Sequence, residues 1–364
     1  MNQKIRIIAS KNSWIEQDAI DQLEGISSLE GIVKVVGLPD LHPGKTPVGA
    51  AFISENIIYP HIIGNDIGCG MSLFMTDIKK HKVNISRWIK KLETFENMQE
   101  IDIEGFIKED IPFLEKIGTI GGGNHFAEFQ QIEKVFDEAI FETLGINKKN
   151  MMILVHSGSR GYGQEILDEV IKKYHAQKGL RVGSNDIDDY LKQHEKAVKW
   201  AENNRKWIAY RLLKALGSNT DVQRILDSTH NSITKKHLDE KVYYIHRKGA
   251  APGDLGPVII PGSRGSLSYI VMPKECEISA YSIAHGAGRK WKRGGCKEKL
   301  ENKYTKKTIK QTKFGANVVC KNKNLLFEEA PEAYKNIERV IEDLLDANLI
   351  TVVATLKPVV TYKG

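Results

Sequence analysis

The chain has 364 residues, of which 41% are hydrophobic and 27% charged, with a formal net charge of +7. That composition describes a folded protein large enough for a full hydrophobic core and excludes fibrous and disordered classes. No apolar run approaches the roughly 18 residues of a membrane span, the first residues hold too short an apolar stretch for a secretory signal, and four cysteines make no disulfide framework in such a length, so a cytoplasmic location is expected.

Helical periodicity appears first at residues 13–23, and a β-rich run follows at 31–36. Further β-rich runs lie at 151–156, 241–246, 257–261, 268–272 and 349–355. The strongest helical pattern covers 186–216, opened by the cap residues Ser184 and Asn185, and a helical insertion is expected near 185–230. Residues 292–323 are very basic and poorly periodic, which fits a solvated loop as well as a surface that meets nucleic acid. A last helix is expected over 331–345, with Pro331 in its first turn. Strands and helices alternate without a repeat or a Pro/Gly/Ser-rich linker, so the fold class is α+β in one large domain over residues 1–364.

Glycines cluster beside histidines, and such backbone can turn tightly and approach a ligand closely. In Gly64-Asn65-Asp66-Ile67-Gly68-Cys69-Gly70 a carboxylate and a thiol stand three residues apart. Read alone, this segment is more simply a buried cysteine beside a turn-forming aspartate. In Gly121-Gly122-Gly123-Asn124-His125-Phe126-Ala127-Glu128 the glycines free backbone amides for phosphate, His125 can ligate a metal, and Asn124 and Glu128 can bond a nucleotide. His156-Ser157-Gly158-Ser159-Arg160-Gly161 follows an apolar run, which puts His156 at a strand end with phosphate donors behind it. His230-Asn231 is weak on its own. His246-Arg247-Lys248-Gly249 fits a phosphate chain or a solvated loop equally, and Pro261-Gly262-Ser263-Arg264 is a turn rich in donors. His285 stands among Gly286, Ala287 and Gly288, sterically open, and Arg289 beside it can hold a phosphate that the imidazole attacks. Together Asp66, Cys69, His125, His156 and His230 can make a dinuclear site, and their mixed donors leave manganese, zinc, cobalt and iron open.

These motifs, with Asp40-Leu41-His42-Pro43-Gly44 before them and Lys363-Gly364 after, occur in the order of the RtcB family, and the resemblance spans essentially the whole chain. The family comprises GTP-dependent RNA ligases that join 3′-phosphate or 2′,3′-cyclic phosphate ends to 5′-hydroxyl ends. The resemblance implies an RtcB-like domain with mixed sheets around a central metal and nucleotide cleft. It implies His285 as the nucleophile that forms a histidine–GMP intermediate, the guanylate then passing to the RNA 3′-phosphate. It implies two manganese ions bridged by Cys69, one completed by Asp66 and His125, the other by His156 and His230. GTP would be bound by Asn124, His125, Phe126, Ala127, Glu128, His230, Asn231, Pro261, Gly262, Ser263, Arg264, Ser268, His285, Gly286, Ala287, Gly288 and Lys363. Asp40, Arg160, Lys248, Arg289 and Arg293 match positions near the reacting phosphates. The implied partner is RNA in repair or tRNA splicing, with archease or a release-factor-like protein as further candidates. Gly68 stands where the family commonly has Asn, and Arg264 where Met is usual, so the chain resembles a shorter, divergent bacterial branch. Two other readings compete: a dinuclear metal-dependent RNA phosphatase or cyclic phosphodiesterase without ligation, and a non-catalytic RNA-binding module.

Overall fold

A computed structural model of the chain describes residues 4–94, 111–218, 220–238, 240–305 and 307–364. The path begins with β1 (Ile5–Ile7), α1 (Gln17–Ser27), β2 (Ile32–His42), β3 (Val48–Glu55) and β4 (Ile57–Ile58). One helical turn, α2 (Pro60–Ile63), leads to β5 (Gly70–Lys79) and α3 (Ile85–Thr94). Next come β6 (Phe126–Val135), α4 (Glu138–Thr143), β7 (Asn150–Ser157), α5 (Gly161–Tyr174), β8 (Leu180–Arg181) and the long α6 (Asn185–Ala215). A run of strands follows: β9 (Gln223–Thr229), β10 (Asn231–Leu238), β11 (Lys241–Lys248), β12 (Ala250–Pro252), β13 (Val258–Pro261), β14 (Ser268–Pro273) and β15 (Ser282–Ala284). The path closes with α7 (Cys296–Leu300), β16 (Asn317–Cys320), α8 (Lys323–Glu328), α9 (Ile337–Asp346) and β17 (Ile350–Lys363).

Among the described residues an eight-stranded sheet has the order β13-β14-β17-β6-β7-β5-β9, with β16 added in parallel beside β17. A five-stranded sheet has the order β1-β2-β3-β11-β10. Along the run β17, β6, β7, β5, β9 every pairing is antiparallel. The starts of β5 and β6 therefore share one edge with the ends of β7, β9 and β17. That edge is where Cys69, His125, His156, His230 and Lys363 stand.

Side-chain alternation decides what each strand shows. On β7, Met151, Ile153 and Val155 pack against Ile208, Ala209 and Leu212 of α6, while Met152 and Leu154 face a second apolar cluster with Leu73, Ile270 and Leu356. His156 continues the second face and Ser157 the first. Both faces of β7 are covered, which is why its sequence is an unbroken apolar run rather than an alternating one.

Several expectations shift. The first helix runs over Gln17–Ser27 rather than 13–23, because Ser13 is tied down outside it by a hydrogen bond to Asp343. The helix expected over 331–345 is split: Pro331–Ala333 form one 3₁₀ turn, and α9 starts only after Asn336, whose side chain accepts from the backbone N–H of Glu338 and Arg339. Within the stretch 185–230, helix ends at Ala215 and Gln223–Thr229 is a strand of the large sheet. The basic stretch 292–323 contains α7 and the buried strand β16. Asn219 and Lys306, inside these two stretches, lie outside the described residues. Among the described residues no helix is long and apolar enough to cross a membrane.

Candidate active site

The shared edge opens into a cavity of about 570 Å³, within the usual size range of small-ligand sites. At its floor five side chains form a chain of contacts. Asp66 Oδ2 lies 3.0 Å from His125 Nε2, and Cys69 Sγ lies 3.3 Å from both His125 Nε2 and His156 Nε2. His156 Nε2 lies 3.3 Å from His230 Nε2. The sulfur is thus the middle member, with a carboxylate and an imidazole on one side and two imidazoles on the other. The donor atoms of Cys69, His125 and His156 lie within 4.8 Å of one another, a group able to hold a metal ion.

The protonation states suit such a role. His156 Nδ1 donates to the carbonyl of Asn124 at 3.1 Å, which leaves the Nε2 lone pair facing the cluster. Burial, reinforced by neighbouring histidines, pushes His156 and His230 well below the usual imidazole range, so both are neutral. Burial raises Asp66, but the charge and hydrogen bond of His125 outweigh it and hold the carboxyl below its usual range. Burial and the adjacent Asp66 push the Cys69 thiol well up, so a bound cation must displace its proton. His125 and His230 each keep a buried Nδ1 with no partner among the described residues. One sulfur, one carboxylate and three imidazoles converging in this way fit a metal centre on their own chemistry.

Above this floor sits His285. Its ring lies 4.6 Å from the His230 ring, centroid to centroid. Its Nδ1 contacts Asp40 Oδ2 at 2.7 Å, and its backbone N–H donates to the same oxygen at 3.1 Å. Asp40 is fully buried behind it, within strand β2. With Nδ1 donating, Nε2 is left as a lone pair.

Two glycines make room for charged neighbours. A Cβ at Gly121 (φ +89°) would fall 1.5 Å from Arg160 Nη1, and one at Gly158 would fall 2.1 Å from Asp66 Oδ1. The guanidinium and the carboxylate therefore occupy space that a side chain would fill. Arg160 itself has φ +58°, a left-handed-side value that costs a non-glycine residue energy. Its buried Nε and the Nη1 of Arg264 have no partner among the described residues. Burial lowers the pKa of Arg160 and Arg264, and of Lys248, whose ammonium donates to the carbonyl of Ile63 at 2.8 Å.

At the far wall, Glu128 accepts from Gln130 Nε2 at 2.6 Å and from the Thr361 hydroxyl. Burial raises its pKa against those bonds. Glu329 accepts from Arg289 at 3.0 Å, from Lys363 at 3.4 Å and from the Tyr334 hydroxyl. Burial lowers Lys363 despite that carboxylate.

The cavity lining brings together Asp66, Cys69, Asn124, His125, Phe126, Glu128, His156, Arg160, His230, Asn231 and Lys248 with Pro261, Gly262, Ser263, Arg264, His285, Gly286, Ala287, Gly288, Arg289, Arg293 and Lys363. It does not include Asp40, Ala127 or Ser268. Ala127 points to the opposite face of β6, into the cluster with Phe129. Ser268 lies one layer back, where its hydroxyl accepts from the same Gln130 that holds Glu128. His246 and Arg247 also turn inward: His246 accepts from the N–H of Tyr59, and Arg247 pairs with Asp254. His42, Gln130, Glu329, Tyr334 and Thr361 escaped the sequence reading as site residues. His42 lay inside a quoted motif, whereas nothing near Glu329 or Thr361 marks them before the strands and helices are folded.

Compared with known proteins, residues 22–101 and 107–364 match the family model described as tRNA-splicing ligase RtcB. The chain belongs to the RtcB family. Relatives of this RtcB-family chain include a protein of Escherichia coli named RNA-splicing ligase RtcB2, 43% identical over an alignment covering 100% of this chain and 97% of the relative. Proteins named tRNA-splicing ligase RtcB from Archaeoglobus fulgidus (29% identical; 96% of this chain and 92% of the relative) and Nanoarchaeum equitans (28% identical; 100% and 96%) are similar as well.

Proposed function

We propose that this protein is a GTP-dependent RNA ligase that joins RNA 3′-phosphate or 2′,3′-cyclic phosphate ends to 5′-hydroxyl ends. The observation that carries the reading is His285, tied to Asp40 through Nδ1 and packed against His230, at the roof of a cavity floored by a sulfur-centred ligand cluster. A hydrolase needs the floor but has no use for a second, separately oriented imidazole.

In this reading His285 Nε2 attacks the α-phosphorus of GTP, an N–P bond forms, and the bond to pyrophosphate breaks. Asp40 stabilises the positive charge that develops on the ring and keeps Nδ1 protonated throughout. The guanylate passes to the RNA 3′-phosphate, the 5′-hydroxyl attacks that activated phosphate, and GMP leaves. Glu128 accepts from the N–H edge of guanine and Lys363 donates to its carbonyl, a pairing that adenine cannot satisfy. Arg160, Lys248, Arg289 and Arg293 steady phosphate oxygens, with Arg160 and Arg264 offering donors that no group among the described residues uses. Asp66, Cys69 and His125 would hold one manganese ion and Cys69, His156 and His230 a second; when bound, the pair neutralises phosphate charge.

Incubation with radiolabelled GTP and manganese is expected to label the wild-type chain covalently, and His285→Ala to abolish the label while the fold survives. RNA carrying a 2′,3′-cyclic phosphate and a 5′-hydroxyl is expected to be joined only when GTP is present. Label persisting in His285→Ala, or RNA ends opened but never joined, overturns the proposal.

A further inference from the structure

Helix α6 crosses the large sheet directly behind the ligand cluster. At Gly68, next to Cys69, an added Cβ would fall 2.9 Å from Ala201 Cβ, so helix and ligand loop are in direct contact. One turn on, Arg205 is fully buried, and its guanidinium reaches three ligand-bearing segments at once. Nη1 donates to the carbonyl of Gly68 at 2.8 Å and to the carbonyl of Ser157 at 3.0 Å. The first belongs to the peptide group immediately before Cys69, the second to Ser157, the residue after His156. Nη2 and Nε donate to Asp227, at 2.8 and 3.1 Å, on the strand that ends beside His230. Nε also reaches the hydroxyl of Ser72 at 2.8 Å, two residues into β5.

Asn204 extends the grip to a fourth segment. Its Oδ1 accepts from the N–H of Gly118 at 2.7 Å, and its Nδ2 donates to the carbonyls of Thr119 and Gly158 and to the Ser157 hydroxyl. Gly118 and Thr119 open the loop that carries Asn124 and His125. None of these bonds touches a donor atom of the cluster; all fix backbone that bears one.

We propose that Arg205, together with Asn204, is the positioning pair of the metal centre: it sets the spacing of Cys69, His156 and His230 from behind. The proposal rests on the metal reading given above. Its physical basis is the planar fork of the guanidinium, which can bond two carbonyls and a carboxylate in fixed directions, as a lysine ammonium cannot. Outer-shell partners of this kind change metal affinity by about 10–100-fold when removed.

The test titrates metal-stripped full-length protein with manganese(II) by calorimetry and with cobalt(II) by thiolate-to-metal absorption. Unfolding midpoints are measured on the same metal-free samples. Arg205→Met is expected to bind manganese about 10–100-fold more weakly and to weaken the cobalt–thiolate band. Arg205→Lys is expected to recover little of either. Should Arg205→Met fail to fold, Asp227→Asn, which only loosens the anchor of the guanidinium, is expected to shift affinity in the same direction. Variants that fold and bind metal with wild-type affinity, even with a lowered unfolding midpoint, assign the pair a purely structural part and overturn the inference. A wild-type chain that binds no metal sinks the metal reading itself and this inference with it.

Discussion

The contact between His285 and Asp40 is the smallest unit on which activity turns. Asp40, buried just behind the cavity, receives the ring and backbone N–H of His285 through Oδ2. Asp40→Asn keeps the shape but can present an N–H to the ring and so favour the tautomer whose Nε2 is blocked. Single-turnover guanylation is expected to slow by about 10²–10⁴-fold, the range of a positioned proton partner, with unchanged circular dichroism; a rate within a factor of a few of wild type would remove Asp40 from the mechanism. At this scale much was legible. Glycine beside histidine marked His125, His156 and His285 as candidates, whereas the segment of Cys69 read alone as a buried cysteine beside a turn. Gln130 and Thr361 were not legible, because their only task is to hold Glu128, and residue types that hold others carry no pattern of their own. Arg205 and Asn204 left a faint trace: two polar residues on the helix face that otherwise carries Ala201, Ile208 and Leu212.

Elements were legible where one periodicity ruled and obscure where two signals competed. Strand β7 and helix α6 appear within a residue or two of expectation. The strand Gln223–Thr229 hid because Asp227, which pairs with the guanidinium of Arg205, and Ser228 beside it break the apolar pattern. Strand β17 was expected to stop near 355, yet it runs to Lys363 past Pro358, and the pairing with β6 shifts register there, as it must where an N–H is missing. For α9 the sequence offered Pro331 as the start, but the side-chain cap of Asn336 sets it. Asn336 Oδ1 accepts at 2.7 Å from Glu338 and 3.3 Å from Arg339. Asn336→Ala is therefore expected to cost about 1 kcal/mol, read from the urea midpoint at constant slope; no change would mean that water replaces the cap without loss.

The whole molecule carries a pH dependence set by buried histidines outside the cluster. Burial lowers His42 to about 4, His194 to about 4 and His246 to about 3, from 6.5. His194 and His246 each use Nε2 to accept a backbone N–H, from Ile233 at 3.0 Å and from Tyr59 at 2.9 Å, a bond that protonation there destroys. Each ring takes up a proton on unfolding once the pH falls below 6.5, so stability is full above that value and declines down to about 4 for His42 and His194 and to about 3 for His246. The slope is about 1.4 kcal/mol per pH unit for each fully titrating ring. Urea unfolding of the metal-free chain across that interval tests it, and a flat profile would contradict neutral burial of these rings. The common edge of β6, β7, β5 and β9 has one more consequence. Adjacent strands stand about 4.8 Å apart because peptide groups bond at that pitch, and that pitch spaces the points where Cys69, His125 and His230, each one residue beyond a strand, and His156, near the end of β7, leave the sheet. In the metal reading proposed above, this ladder and the Arg205 fork behind it would together act as a calliper for an entering ion.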